Sequence, residues 1–245
     1  MKKYLIYFQY YGKNYCGFQK QDNGLSIQQV VENALENALN KKVEIFASGR
    51  TDAGVSAICQ TAHFDTDTTI PASKIPFAVN KYLPEDIKII KCNQVKQDFH
   101  ARFDVKQKTY KYNMYVSPVE LPLKSLTAYW LKKMPNMELI KQASALLIGT
   151  HNFKGFMSAG GQAKTFERTI YDIKVIKKGK DISIEVTGSG FLYNMVRIIV
   201  GTLLEVSYGR KTVEDVQQVL QTQNRSLAGF LVPPYGLFLK QVKYW

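Results

Sequence analysis

In the first hundred residues, segments with the apolar periodicity of a β-strand and segments with that of an α-helix follow one another in a definite order. Residues 3–10 alternate as a strand does, and from Ser26 the apolar positions recur at spacings of three and four. The second pattern predicts a helix with Ser26 as its N-cap. Strands at about 43–48 and 58–66, a helix at about 73–82 and a strand at about 86–95 follow. This β-α-β-β-α-β order predicts a ferredoxin-like unit.

The second half repeats that order with insertions. Its predicted elements are a strand at about 107–116, a helix at about 136–148, strands at about 166–177 and 181–187, a helix at about 191–206, a short helix at about 212–222 and a last strand at about 236–244. We therefore predict an α+β protein of two ferredoxin-like halves, residues 1–104 and 105–245. The halves would form one extended, mainly antiparallel sheet with helices on one face. The other face, or a cleft between the halves, would remain open to a ligand.

The charge balance favours a polyanionic ligand. Lysine and arginine total 33 against 20 acidic residues, which gives a net charge of +13. Neutralising phosphates releases counterions and provides affinity that does not depend on sequence. The densest mixture of basic residues and tyrosines, residues 106–112, suits unstacked RNA bases, which bind aromatic faces. The alternative is that these tyrosines fill a core and the lysines solvate its outer face.

The sequence argues against a membrane protein, a secreted disulfide-linked protein and a metalloprotein. No apolar run reaches the roughly 20 residues of a membrane span, and the N-terminus lacks the apolar core of a signal peptide. We therefore expect a cytoplasmic protein with no membrane partner. The three cysteines are far apart, which argues against a disulfide framework. Cys59 with His63, and Cys92 with His100, only loosely match zinc-ligand spacing, so we expect no metal and interpret the cysteines as buried structural thiols.

Asp52 is the first candidate for chemistry. It lies in the run Gly49-Arg50-Thr51-Asp52-Ala53-Gly54, directly after a strand-like segment. The glycines permit a shaped loop, and a neighbouring arginine favours the ionised carboxylate that a nucleophile or base requires. The alternative is a surface turn in which Asp52 caps a backbone amide.

A second candidate lies on the helix predicted after Gly190. Arg197 occurs there among Met, Val, Ile and Leu residues, and a buried charge is costly unless it is paired. Either Arg197 faces solvent, or it is buried and needs a carboxylate partner, for which Asp52 is a candidate.

Six segments together are similar to the TruA-type tRNA pseudouridine synthases, and they occur in the family's order from the first strand to the last. They are Tyr11-Gly12 with Gly17-Phe18-Gln19 and Gln21, Ser26-Ile27-Gln28, Gly49 to Val55, Phe99-His100-Ala101-Arg102, Gly190 to Arg197, and Gly236-Leu237-Phe238-Leu239. Three positions depart from the family pattern. Ser56 and Asn194 replace histidines, and Phe18 replaces a tryptophan.

The resemblance implies roles for four residues. Asp52 would be the catalytic aspartate, Tyr110 would stack on the target base, Arg197 would pair with the aspartate, and Arg50 would contact RNA. It further implies that uridines around positions 38–40 in the anticodon arm of tRNA become pseudouridine. The enzyme would be a homodimer that uses neither cofactor nor metal.

Two other functions remain open at this point. A catalytically silent protein could use the same basic sheet to hold RNA. A glycoside or nucleoside hydrolase would need a second carboxylate about 5–9 Å from the first, and Asp65 and Asp67 are the candidates.

Overall fold

The computed structural model describes residues 1–22, 24–161 and 163–245. Its strands are β1 (Lys2–Tyr10), β2 (Phe46–Ala47), β3 (Ser56–Thr66), β4 (Ile87–Val95), β5 (Gln107–Val116), β6 (Tyr129–Leu131), β7 (Gly149–Asn152), β8 (Glu167–Lys178), β9 (Asp181–Gly188) and β10 (Leu237–Lys243). Its α-helices are α1 (Ile27–Leu39), α2 (Ile75–Val79), α3 (Pro122–Ser125), α4 (Met137–Ala145), α5 (Met195–Ser207) and α6 (Val213–Thr222). In these parts of the chain, no helix is both long and apolar enough to cross a bilayer.

The chain divides into two compact units. The first comprises Met1–Lys106 and Phe238–Trp245, and the second comprises Gln107–Leu237. The last strand belongs mainly to the first unit because β10 pairs in parallel with β3, with Phe238 opposite Ser56. The predicted second half, residues 105–245, includes that strand.

The first unit has the strand order β4-β1-β3-β2, and each neighbouring pair is antiparallel. Helix α1 lies between β1 and β2 in the chain, and α2 lies between β3 and β4, so the elements of this unit follow one another in β-α-β-β-α-β order. Helix α1 begins as predicted, because the Ser26 side chain accepts a hydrogen bond from the backbone N–H of Gln29.

Both faces of this sheet are covered near the middle of β1, where the successive residues Leu5 and Ile6 are fully buried. On the face of Leu5, the Tyr244 hydroxyl is hydrogen-bonded to the Thr61 hydroxyl at 2.6 Å, and the N–H of Ala101 donates to Nδ1 of His63 at 3.1 Å. Part of the face that the sequence leaves open to a ligand is therefore covered by the chain itself.

In the second unit, β5, β9, β8 and β7 pair antiparallel in that order, and β6 adds in parallel to β5. Helix α5 is buried along almost its whole length, which explains its apolar sequence. The chain passes close to it at Gly201, where an added Cβ would lie 1.8 Å from the Phe230 carbonyl oxygen. The predicted α+β class and the mainly antiparallel pairing are confirmed.

Three local predictions were wrong in their bounds, and two short strands were not predicted. The strand predicted at 43–48 is only Phe46–Ala47, and the helix predicted at 73–82 is a 3₁₀ turn followed by Ile75–Val79. The helix predicted from Phe191 begins at Met195, because Asn194 has a φ of 60° that a right-handed helix cannot contain. The short strands β6 and β7 were missed, since three or four residues give too little periodicity to detect.

His63 provides a test of the covered face. Burial, followed by the nearby His100 and Lys3 charges, lowers its pKa from 6.5 to about 4. Because the folded pKa lies below the unfolded one, this contribution to stability is complete above pH 6.5 and is lost as pH falls towards 4. We expect the free energy of unfolding to decrease by about 1–2 kcal/mol between pH 7 and pH 5, measured by urea denaturation.

The control for that experiment is His63→Asn, which does not titrate in this range. The variant should be less stable at pH 7 but should lose less stability on acidification than the unmodified protein. Equal losses in the two proteins would show that His63 is not the group responsible.

Candidate active site

The Asp52 loop, residues 48–55, joins β2 to β3 in the first unit. It ends in a tight turn in which the N–H of Val55 donates to the Asp52 carbonyl at 3.1 Å. Gly54 in that turn has a φ of 77°, a left-handed conformation that glycine adopts readily. Asp52 is half-buried and Arg50 is exposed. Asp52 is thus partly shielded from solvent, whereas the neighbouring Arg50 is exposed to it.

Two glycines after β1 lie directly against this loop. A Cβ on Gly12 would lie 2.1 Å from the Val55 carbonyl oxygen, and one on Gly17 would lie 3.2 Å from the Thr51 carbonyl oxygen. Gly17 also has a φ of 120°. The N–H of Phe18 donates to the Thr51 carbonyl at 3.0 Å. The Gly12 and Gly17 segment of the family pattern therefore has a structural reason, which is close backbone approach to the loop.

Ser56, which replaces a family histidine, lies inside the protein with 1% of its surface exposed. Its hydroxyl accepts a hydrogen bond from the N–H of Gly12 at 3.0 Å. Phe18, which replaces a tryptophan, is also buried and packs against Phe8 and Tyr10. Both departures are accommodated by internal packing.

Tyr10 and Gln60 are buried polar residues next to the Asp52 loop that the sequence analysis did not single out. The Tyr10 hydroxyl is hydrogen-bonded to the Thr51 hydroxyl at 2.7 Å, and Gln60 Nε2 donates to the Gly49 carbonyl at 3.0 Å. The available signal for Gln60 was a long polar side chain in the middle of a predicted strand.

The candidate second carboxylates are far from Asp52. Asp65 follows Ser56 by nine residues along the continuous strand β3, a distance of about 30 Å at 3.3 Å per residue. Asp65 accepts a hydrogen bond from Gln97, and Asp67 forms an exposed ion pair with Lys41. Neither residue provides the 5–9 Å pair that a glycoside hydrolase needs.

Tyr110 lies on β5 in the second unit, opposite Val186 of β9, and is half-buried. Its ring meets Phe191 edge to face, with centroids 5.2 Å apart and an interplanar angle of 88°. The edge contact fixes the orientation of the tyrosine ring.

Arg197 is buried on α5, with 9% of its surface exposed, so the solvent-facing alternative is excluded. Its Nε donates to the Val232 carbonyl and its Nη1 to Oδ1 of Asn194, both at 2.8 Å. Asn194, which replaces a family histidine, also donates to the Ser158 hydroxyl at 3.0 Å. The left-handed backbone of Asn194 and the two hydrogen bonds of its side chain fix the position of the Arg197 guanidinium group.

The Phe99 to Arg102 segment is anchored in the first unit. Ala101 is fully buried, with its N–H bonded to His63 and its carbonyl accepting from the Tyr244 hydroxyl at 2.9 Å. His63, which was considered with Cys59 for a metal site, thus accepts a hydrogen bond from the backbone of this segment. Over the residues that the structure describes, no group of three or more His, Cys, Asp or Glu side chains could hold a metal ion. Cys92 is buried, whereas Cys16 and Cys59 are half-buried, which corrects the prediction that all three are buried.

A family model described as tRNA pseudouridine synthase matches residues 6–104 and 143–245. These ranges include Asp52 and Arg50 in the first unit and Arg197 in the second. The chain belongs to the tRNA pseudouridine synthase family. The resemblance drawn from six segments and the predicted enzyme class, an isomerase, are confirmed.

Individual relatives agree with that result. The tRNA pseudouridine synthase A 2 of Clostridium tetani is 44% identical over 238 residues, which are 96% of each chain. The tRNA pseudouridine synthase A of Thermoanaerobacter sp. is 38% identical, and the tRNA pseudouridine synthase A 2 of Clostridium perfringens is 42% identical, each over 244 residues and 100% of both chains.

Proposed function

We propose that this chain isomerises uridine to pseudouridine in the anticodon stem-loop of tRNA, around positions 38, 39 and 40. The match of the family model, with the Asp52 loop intact within it, is the observation that supports the proposal most. The net charge of +13 suits a substrate with a phosphate backbone. With tRNA as the substrate, we expect a cytoplasmic homodimer that needs no cofactor.

Four side chains are assigned roles in this proposal. Asp52 is the catalytic carboxylate, and Tyr110 stacks on the target uracil. Arg197 holds Asp52 in its ionised form, and the exposed Arg50 contacts the RNA. The burial of Arg197 supports its role, because a desolvated guanidinium acts on a carboxylate more strongly than one in water.

The reaction needs these residue types. The N1–C1′ bond breaks, the uracil turns, C5 joins C1′, and the C5 proton leaves while N1 gains one, so no electrons are exchanged with a carrier. The target base must first leave the stack, which costs a few kcal/mol. A carboxylate is needed at the ribose or the base during cleavage, and an aromatic ring is needed to hold the detached uracil.

Release of tritium from C5-labelled uridine in tRNA tests the function. Only the isomerase frees that proton, because neither a hydrolase nor an RNA-binding protein breaks the C5–H bond. A protein that binds tRNA but releases no tritium would contradict the proposed function.

Asp52→Asn should abolish tritium release while tRNA affinity stays within a few fold, because phosphate contacts provide most of the affinity. Asp65→Asn, a matched change on β3 of the same unit, should leave turnover unchanged. Residual activity of Asp52→Asn above about 1% of that of the unmodified enzyme would contradict the assignment of Asp52 as the nucleophile.

Tyr110→Leu should lower kcat/KM by about tenfold to a hundredfold, since stacking on a base is worth about 1–3 kcal/mol. Tyr110→Phe keeps the ring and removes the hydroxyl. Retained activity would assign stacking alone, whereas a loss close to that of Tyr110→Leu would assign the hydroxyl a part in proton removal. Tyr171→Leu, an exposed tyrosine on β8, is the control. If both Tyr110 variants turn over at the unmodified rate, Tyr110 has no role in the site.

Arg197→Met should remove most activity and shift the acidic limb of the pH–rate profile to higher pH. Loss of the cation raises the pKa of the carboxylate, so the ionised form requires a higher pH. Arg197→Lys keeps the charge but cannot reproduce both the Nε and Nη1 bonds, and should be intermediate. Normal turnover with an unchanged acidic limb in a folded Arg197→Met protein would exclude the pairing.

A further inference from the structure

The loop that contains Asp52 is attached to two polar side chains that lie entirely inside the first unit. Gln60 is fully buried, and Tyr10 has 4% of its surface exposed. Both side chains are almost completely shielded from solvent, so neither is placed to contact RNA directly. Any effect that they have on catalysis must pass through the residues to which they are bonded.

Three of the four residues that precede Asp52 are bonded to this pair. The Ser48 hydroxyl donates to Oε1 of Gln60 at 2.7 Å, and Nε2 of Gln60 donates to the Gly49 carbonyl at 3.0 Å. The Tyr10 hydroxyl is bonded to the Thr51 hydroxyl at 2.7 Å. Arg50 is the fourth residue, and its side chain is exposed.

The pair is also joined internally. Nε2 of Gln60 lies 3.5 Å from the Tyr10 hydroxyl, and Oε1 of Gln60 accepts the N–H of Thr61 at 3.0 Å. Burial raises the pKa of Tyr10 to about 12, so its hydroxyl remains neutral and able to donate. A buried polar network with its partners present restricts the chain to one arrangement, and losing one partner is costly.

These contacts differ from those of an ordinary core residue because they end on the loop and not on the sheet alone. Strands β1 and β3 already pair through their backbones from Lys2 opposite Thr66 to Tyr10 opposite Ala57. An apolar side chain at position 10 or 60 would therefore leave that ladder intact. It would leave the residues before Asp52 without their side-chain partners.

We propose that Tyr10 and Gln60 are positioning residues that fix the Asp52 loop in its reactive geometry. The proposal depends on the function proposed above and concerns the same site. Catalysis requires reacting groups to be held near their productive positions before the substrate arrives, and displacement of about 1 Å can cost a hundredfold in rate.

The test compares Tyr10→Phe with Tyr244→Phe. Each substitution removes one buried tyrosine hydroxyl bonded to a threonine hydroxyl in the first unit, at 2.7 Å for Tyr10 and 2.6 Å for Tyr244. Only the Tyr10 bond ends on the Asp52 loop. We expect Tyr10→Phe to lower kcat for tritium release about tenfold to a hundredfold with KM changed less than about threefold. Tyr244→Phe should lower Tm to a similar extent with an unchanged kcat.

Substitutions of Thr51 test the same hydrogen bond from its other side, and their result does not depend on whether the Tyr10 variant folds. Thr51→Val removes the hydroxyl and should lower kcat as much as Tyr10→Phe does. Thr51→Ser keeps the hydroxyl and should retain most of the kcat of the unmodified protein. Combining Tyr10→Phe with Thr51→Val should cost little more than either change alone, because both remove the same bond.

The outcomes separate this proposal from the function on which it depends. If the unmodified protein releases no tritium, the proposed function fails and this proposal fails with it. If the unmodified protein is active and Tyr10→Phe and Thr51→Val have the same kcat as Tyr244→Phe, only the positioning role is overturned.

Discussion

Antiparallel pairing of β1 with β3 determines where the Asp52 loop lies. The register places Tyr10, at the end of β1, opposite Ala57, near the start of β3. The chain that leaves β1 must therefore pass the loop that enters β3, and it does so at Gly12 and Gly17. The register shifts by one residue between Phe8 and Tyr10, so the ladder that buries Ile6 and Phe8 and this irregularity at its end together bring Tyr10 to Thr51.

Sequence periodicity was sufficient for the long elements and insufficient for the short ones. Helix α1 and strands β5, β8 and β9 follow their predicted bounds closely because each has eight or more residues and a clear cap or turn. Strand β2 has two residues, and the start of α5 depends on the left-handed Asn194. Pairing of β10 with β3 is a long-range contact that no local pattern encodes.

For the candidate site, the sequence indicated the candidate catalytic residues but not the buried residues that are bonded to the Asp52 loop. Asp52 and Arg197 were noticeable because a glycine-flanked carboxylate and a charge among apolar residues are unusual. Burial decided between the two alternatives for Arg197, which composition had left open. Tyr10 and Gln60 are ordinary strand residues by composition, and only their bonds to Thr51 and Gly49 distinguish them.

The structure gives the two neighbours of Thr51 different surroundings. Asp52 is half-buried and follows three residues whose side chains or carbonyl groups are bonded within the first unit, whereas Arg50 is exposed. A fixed carboxylate needs no rearrangement at the moment of reaction, so binding energy is available to unstack the target base. An exposed arginine can adjust to the RNA at little cost to the loop. Under the proposed function, the anchored backbone would let Arg50 move during base flipping while Asp52 stays in place.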